Sequence, residues 1–200
     1  MNGTVHSIIG VSTGAAVILT ASNRLPVLES SVIAPTVFML ATTTGSIFPD
    51  LDLPGRPLGF LGHRGFTHTL TIPAICIVLS QIIPSGHVFD VLKAFFLGFG
   101  FAWLMHIFAD LFQKRGVPLF WPFLPMKVHI HLFNMPVKYD KVFLMVYCAF
   151  LIFICSRVGF ETLHTKILTS SPSIIIAICI SVFILKKYFG KAWKETKRRR

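Results

Sequence analysis

Six apolar runs separated by short polar segments organise this sequence, at roughly 5–21, 32–48, 68–84, 94–112, 141–158 and 172–188. A membrane-crossing helix needs about 17–25 mostly apolar residues, and each run has that length. Barrel strands would be alternating stretches of about ten residues, whereas these runs are longer and unbroken. In lipid the backbone must satisfy its own hydrogen bonds, so continuous apolar runs of this kind predict helices. The second run carries Thr42, Thr43, Thr44 and Gly45 and is the least apolar. Pro35 and Pro73 fall in predicted first turns, where a missing N–H is tolerated. Pro49 through Pro57, Pro84-Ser85-Gly86 and Ser170-Ser171-Pro172 carry turn chemistry between the runs. The pattern shows neither an internal repeat nor a soluble domain. It predicts an all-α membrane protein: a polytopic bundle of about six transmembrane helices over residues 1–188, followed by a basic cytoplasmic tail over 189–200.

Composition supports the same class. The 200 residues are 54% hydrophobic with a mean hydropathy of +0.71, above the soluble average, and only 14% are charged. Cys76, Cys148, Cys155 and Cys179 all lie inside apolar runs without a C-x-x-C pair, so they read as packing residues rather than a disulfide framework or thiolate site. No Lys or Arg precedes the first run, which argues against a cleaved signal peptide.

Charge then orients the bundle. With the N-terminus inside, 15 of the 19 Lys and Arg residues fall on the inner side, eight of them from Lys186 to the end of the chain. The positive-inside tendency therefore places both termini in the cytoplasm. The net charge of +11 is largely this tail, with Phe189 and Trp193 four residues apart. Such a segment suits an anionic lipid surface, at about 1 kcal/mol per basic residue, better than nucleic acid.

On this topology the ionisable residues gather at one face. His6 opens the first span; Asp50 and Asp52 leave the second; His63 and His68 enter the third; His106 and Asp110 lie in the last turns of the fourth. All sit on the inner side. The outer side has Glu29, His87, Asp90, Glu161 and His164 in no recognisable spacing. His106 and Asp110 are an i, i+4 pair projecting from one helix face, and an acid inside such a segment usually faces a polar interior. Asp50-Leu51-Asp52, if extended, would point two carboxylates the same way. His63-Arg64-Gly65-Phe66-Thr67-His68 turns about Gly65, with Thr67 expected to cap the third span. Arg64 offers a fork of donors suited to phosphate or carboxylate. Mixed imidazole and carboxylate donors suit zinc, manganese or iron. Each feature has a simpler reading: an interfacial His6, turn residues at Asp50 and Asp52, a hydrogen-bonded His106–Asp110 pair, a pH-sensitive interface at His63 and His68. Those separate readings would scatter the residues over both faces. His129 and His131 alternate with apolar neighbours and are read as non-ligands, and Trp121-Pro122-Phe123 as an aromatic interface anchor.

These residues also carry a likeness. His6-x-x-x-Gly10, Pro49-Asp50-Leu51-Asp52, His63 through Thr69, and His106 through Asp110 continuing to Gly116-Val117-Pro118-Leu119-Phe120-Trp121-Pro122 resemble the YdjM-like family of bacterial inner-membrane proteins. That family is described as metal-dependent hydrolases linked to LexA regulation. The likeness extends to about residue 123. Many members carry a His directly after the second Asp of this motif, where this chain has Leu53. A looser likeness, in site style alone, is to zinc-dependent phospholipase C, which also uses an H-x-x-x-D pair.

The expectation is a membrane-bound metal-dependent hydrolase of the inner membrane. His6, Asp50, His63, His68, His106 and Asp110 would hold one or two divalent ions, zinc foremost, with manganese or iron as alternatives. Asp52 would be a further ligand or a carboxylate that orients an imidazole, and Arg64 would stabilise a developing anion. A phospholipid or lipid-linked phosphoester entering from the inner leaflet fits the depth of these residues. A metal or proton transporter and a non-catalytic scaffold with a structural metal are the rival readings.

Overall fold

The computed structural model describes residues 3–21, 25–31, 33–52, 65–112, 116–124, 126–130, 144–149 and 151. Its helices are α1 (Gly3–Ala21), α2 (Pro26–Glu29), α3 (Ile33–Ile47), α4 (Thr71–Ile82) and α5 (His87–Leu111). Short 3-10 turns cover Phe48–Asp52 and Phe66–His68, and residues 144–149 are helical. Among the described residues there is no strand, only an isolated antiparallel bridge between Val117 and Val128. The all-α expectation thus holds for these residues. Four of the six apolar runs coincide with α1, α3, α4 and α5. The fifth overlaps residues 144–149, and the sixth and the basic tail lie outside the described residues. By length and composition α5 can cross a membrane, while Val5–Thr20 and Thr71–Ile82 are shorter apolar helices.

Small residues explain how the helices approach. A Cβ on Gly14 would meet Thr42 Oγ1 at 2.3 Å, and one on Gly10 would meet Ser46 Oγ at 2.2 Å. One turn back along α1 thus matches one turn forward along α3, which makes these helices antiparallel. A Cβ on Gly45 would lie 2.3 Å from the Phe99 carbonyl oxygen, and one on Gly98 2.8 Å from that of Phe38; with His106 on the Ser46 carbonyl further along both helices, α3 and α5 run parallel at close range. Gly100 packs in the same way against Pro73 and Cys76 of α4. Close approach through small residues is how helices associate where lipid, rather than water, surrounds them. α3 and α5 share the largest interface.

Polarity is distributed inside out. Thr13, Thr42, Thr43, Ser46 and Ser80 are buried, whereas Ile75, Val78, Ile82, Val88, Phe89 and Phe95 face outward. The buried hydroxyls of Thr13, Thr42, Thr43, Ser46 and Ser80 donate hydrogen bonds to carbonyls three or four residues earlier, so their protons are satisfied within their own helices.

Three local expectations are corrected. α5 begins at His87 rather than near residue 94, because the polar His87, Asp90 and Lys93 sit on outward turns and do not interrupt the helix. Asp50-Leu51-Asp52 is a 3-10 turn and not extended. Thr67 does not cap α4, whose N-cap is Leu70 without a side-chain bond; its hydroxyl goes to Asp52 instead.

Candidate metal centre

Four elements bring their polar residues to one end of the bundle. The register that sets Gly14 on Thr42 and Gly10 on Ser46 continues by one more turn to set His6 opposite Asp50. The parallel packing of α3 and α5 places His106 beside the same turn. The chain then returns through Phe66–His68, held to α5 by a Trp103 Nε1–H bond to the Thr67 carbonyl at 2.7 Å.

The result is a buried cluster of three imidazoles and two carboxylates. His6, His68 and His106 are at most 1% exposed, and Asp110 is 2% exposed. Asp50 is also buried. His6 Nε2 lies 3.2 Å from Asp110 Oδ1, and His68 Nε2 lies 3.5 Å from Asp110 Oδ2. His106 Nε2 is 3.8 Å from Asp50 Oδ1 and 4.0 Å from Asp110 Oδ2. The His6 and His106 rings stack at 3.7 Å, and His68 stands edge-on to His106 at 5.3 Å. Two overlapping groups, His6–Asp50–His106 and His68–His106–Asp110, each keep one ligand atom per residue within 4.8 Å of the others.

Outer contacts set the tautomers. His106 Nδ1 is 2.7 Å from the Ser46 carbonyl oxygen, which can only accept, so Nδ1 carries the proton and Nε2 presents its lone pair to the cluster. His68 Nδ1 lies 3.0 Å from Thr67 Oγ1 and 3.2 Å from Asp52 Oδ2. The Thr67 hydroxyl donates to Asp52, leaving its oxygen to accept from His68 Nδ1–H. His68 Nε2 thereby turns toward Asp110. A carboxylate behind an imidazole whose other nitrogen faces inward is the usual support of a metal ligand.

The donor set fits a divalent cation. His106 Nε2 and His6 Nδ1 are buried without a hydrogen-bond partner. A buried polar atom left in that condition costs about 1–3 kcal/mol. His106 Nε2 is too far from either carboxylate for a hydrogen bond but suitably placed to share an ion with it. Ligands about 2.1 Å from a tetrahedral ion lie roughly 3.4 Å apart, close to the shorter separations here. Three nitrogens with carboxylate oxygens suit zinc, manganese or iron(II) and not calcium or magnesium. Burial pushes the Asp50 carboxyl above the usual carboxylate range; Asp110 adds to this and His6 opposes it. An added cation would reverse that balance.

Of the residues singled out from sequence, His6, Asp50, His68, His106 and Asp110 come together, with Asp52 behind His68. His63, Arg64 and His131 lie outside the described residues. His129 is half-buried and belongs to neither group. Sequence reasoning missed the Ser46 carbonyl and Trp103, and gave Thr67 another part. A backbone acceptor leaves no trace in residue identity. The Ser46-x-x-x-Asp50 spacing on the face that packs α1 was the available hint.

Comparison with known proteins gives a family. The family model described as YdjM inner membrane protein matches residues 1–192. Inner membrane protein YdjM of Escherichia coli (strain K12) is 35% identical, the match covering 38% of this chain and 44% of that protein. The same values hold for the Shigella flexneri protein of that name. Uncharacterized protein YfhP of Bacillus subtilis (strain 168) is 31% identical, covering 67% of this chain and 41% of that protein. The chain spans less than half the length of these curated relatives. No solved structure matches it.

Proposed function

The chain belongs to the family of YdjM inner membrane proteins, and on that premise we propose that it is a multi-pass protein of the bacterial inner membrane whose buried cluster binds a divalent cation for a hydrolytic reaction. The supporting observation is the convergence of His6, His68, His106, Asp50 and Asp110, with His106 Nε2 aimed inward and unbonded. The names of the Escherichia coli and Shigella flexneri relatives support the location, and none of the relatives' names states an activity. Six spans with both termini in the cytoplasm, as the Lys and Arg distribution favours, place the cluster at the inner leaflet.

In this reading His6, Asp50, His68, His106 and Asp110 are the ligands, zinc is the favoured ion, and His63 is a sixth candidate. A bound divalent ion supplies Lewis acidity and brings the pKa of water down to about 7. Ser46 and the Thr67–Asp52 pair hold two imidazoles in the ligating tautomer. Arg64, four residues before His68, is assigned to the developing negative charge of a phosphoester. A phospholipid or lipid-linked phosphate is the proposed substrate class.

Deep burial of the cluster favours a second reading, in which the metal only ties four elements together. Transport is disfavoured, because transport sites sit near the bilayer midplane on broken helices, whereas these residues lie at helix ends. Metal content by plasma mass spectrometry on detergent-purified protein tests the common premise: stoichiometric metal is expected, and none after incubation with zinc and manganese would remove it. Phosphoester turnover by the metal-loaded protein, abolished in Arg64→Ala with metal retained, separates the hydrolase from the structural reading.

A further inference from the structure

The bundle end that carries the cluster also carries an exposed aromatic turn. Residues 119–123 form turns held by a Trp121 N–H bond to the Pro118 carbonyl at 3.2 Å and a Leu124 N–H bond to the Phe120 carbonyl at 3.0 Å. Phe120, Trp121, Phe123, Leu124 and Met126 all point outward, Phe123 at 82% exposure. Phe66, also exposed, meets Trp121 edge-on at 5.9 Å. Lys127 follows the patch directly and is exposed.

This patch is anchored, not loose. Val117 pairs with Val128 and packs with Trp103 and Ile107 of α5. Leu70 N–H binds the Leu119 carbonyl at 3.0 Å, which joins the patch to the segment bearing His68. A fixed backbone that presents a contiguous set of large apolar side chains needs a cover. Its features choose the cover. Tryptophan beside phenylalanines with a lysine at the rim is the composition of a membrane–water boundary, where the indole sits at headgroup level and the ammonium reaches the phosphates. The sides of α4 and α5 are themselves apolar and outward-facing, including Phe108, one turn before the end of α5. The lipid-facing surface therefore extends toward the cluster end.

We propose that Phe66 and the Phe120–Met126 turn lie in the interfacial layer of the phospholipid leaflet on the cluster's side, and thereby hold the His68 segment at headgroup depth. This rests on the membrane location proposed above and adds a lipid contact distinct from the spans. It brings phospholipid headgroups to the end of the bundle that carries the cluster.

The test uses the full chain with Trp193→Phe, reconstituted in phosphatidylethanolamine–phosphatidylglycerol vesicles. Their acyl chains are brominated either near the headgroup or near the methyl end. Trp103 is buried in the bundle, so the signal lost on further Trp121→Phe substitution is that of Trp121. Expected is loss of most Trp121 emission with shallow bromines and little with deep ones. Phe123→Asp, at a side chain the fold does not use, should reduce the shallow quenching. Trp121 emission untouched by either lipid overturns the proposal, as does stronger quenching from deep bromines. Shielding of Trp121 with crosslinking of Phe123→Cys between copies also overturns it, in favour of a second chain as the cover. Metal content measured on the same vesicles reports on the metal reading separately, so either proposal can fail alone.

Discussion

The two ends of the helix bundle use the same residue types to opposite effect. At one end His6, Asp50, His68, His106 and Asp110 are buried against one another. At the other end Glu29 and His87 are exposed, Asp90 is half-exposed, and Lys93 reaches back to Ser85 Oγ at 3.0 Å. A histidine or acid at a helix end is therefore not a site in itself. What differs is that glycine-mediated contacts bring α1, α3 and α5 together at the first end and the turn before α4 closes over it. At the second end the outward turns of α5 leave the charges to solvent and headgroups. Burial removes hydration from the ionisable groups, and hydrogen bonds, opposite charges or a bound ion must replace it.

The comparison breaks most visibly if His106 or Asp110 is replaced by alanine. Each variant should lose bound metal entirely. In the metal-free protein Asp110→Ala should also lose on the order of 3–5 kcal/mol, because His6 and His68 keep their burial without the carboxylate between them. Metal analysis and thermal unfolding in detergent check both. Retained stoichiometric metal in either variant would place the ion elsewhere.

Next in size is the effect of spreading the helices. Gly10→Ala would drive a Cβ to within 2.6 Å of the Thr42 carbonyl oxygen, a backbone atom that cannot swing aside. A cost of about 1–3 kcal/mol is expected, with weaker metal binding because His6 shares that register. Asp52→Asn should leave the bundle folded yet lower metal affinity about 10–100-fold, since the support behind His68 is weakened. Competition with a chelator measures it, and an unchanged affinity would remove Asp52 from any positioning role.

Acidity sharpens the contrast further. A bound metal would compete with the proton for Asp50, whose carboxyl burial holds above the usual range. Metal should therefore be released, as pH falls, at a higher pH than an ordinary aspartate with a pKa near 3.9 would require. In the metal-free protein the sign reverses for this group: the folded state holds the Asp50 proton more tightly than the unfolded one, so the contribution of Asp50 to stability is fully present in acid and is lost as pH rises through the raised value. Asp50→Asn should flatten that decline. Smallest of all, Asp90→Ala at the opposite end should alter stability by no more than about 0.5 kcal/mol and metal content not at all.

Much of this molecule was written in one dimension. Apolar runs of helical length fixed α1, α3, α4 and α5 to within a few residues at most ends, because a backbone in lipid has few alternatives to a helix. The i, i+4 spacing of His106 and Asp110, and the place of His6, Asp50 and His68 at run ends, gave the membership of the cluster. Local chemistry was legible only in part. Thr67 has the residue type of a cap, and nothing in the sequence says that a carboxylate fifteen positions earlier competes for its hydroxyl.

Tertiary structure decided the remainder. The antiparallel register of α1 on α3 set His6 opposite Asp50, and depends on how closely Gly10 and Gly14 let two backbones approach. The tautomer of His106 depends on the Ser46 carbonyl, a group every residue possesses and no residue name reveals. Sequence determines which groups can ionise or ligate, since that is a property of each side chain alone. Whether they meet, which nitrogen faces inward and how dry the meeting point is are properties of distances between elements far apart in the chain, and those exist only once the helices have packed.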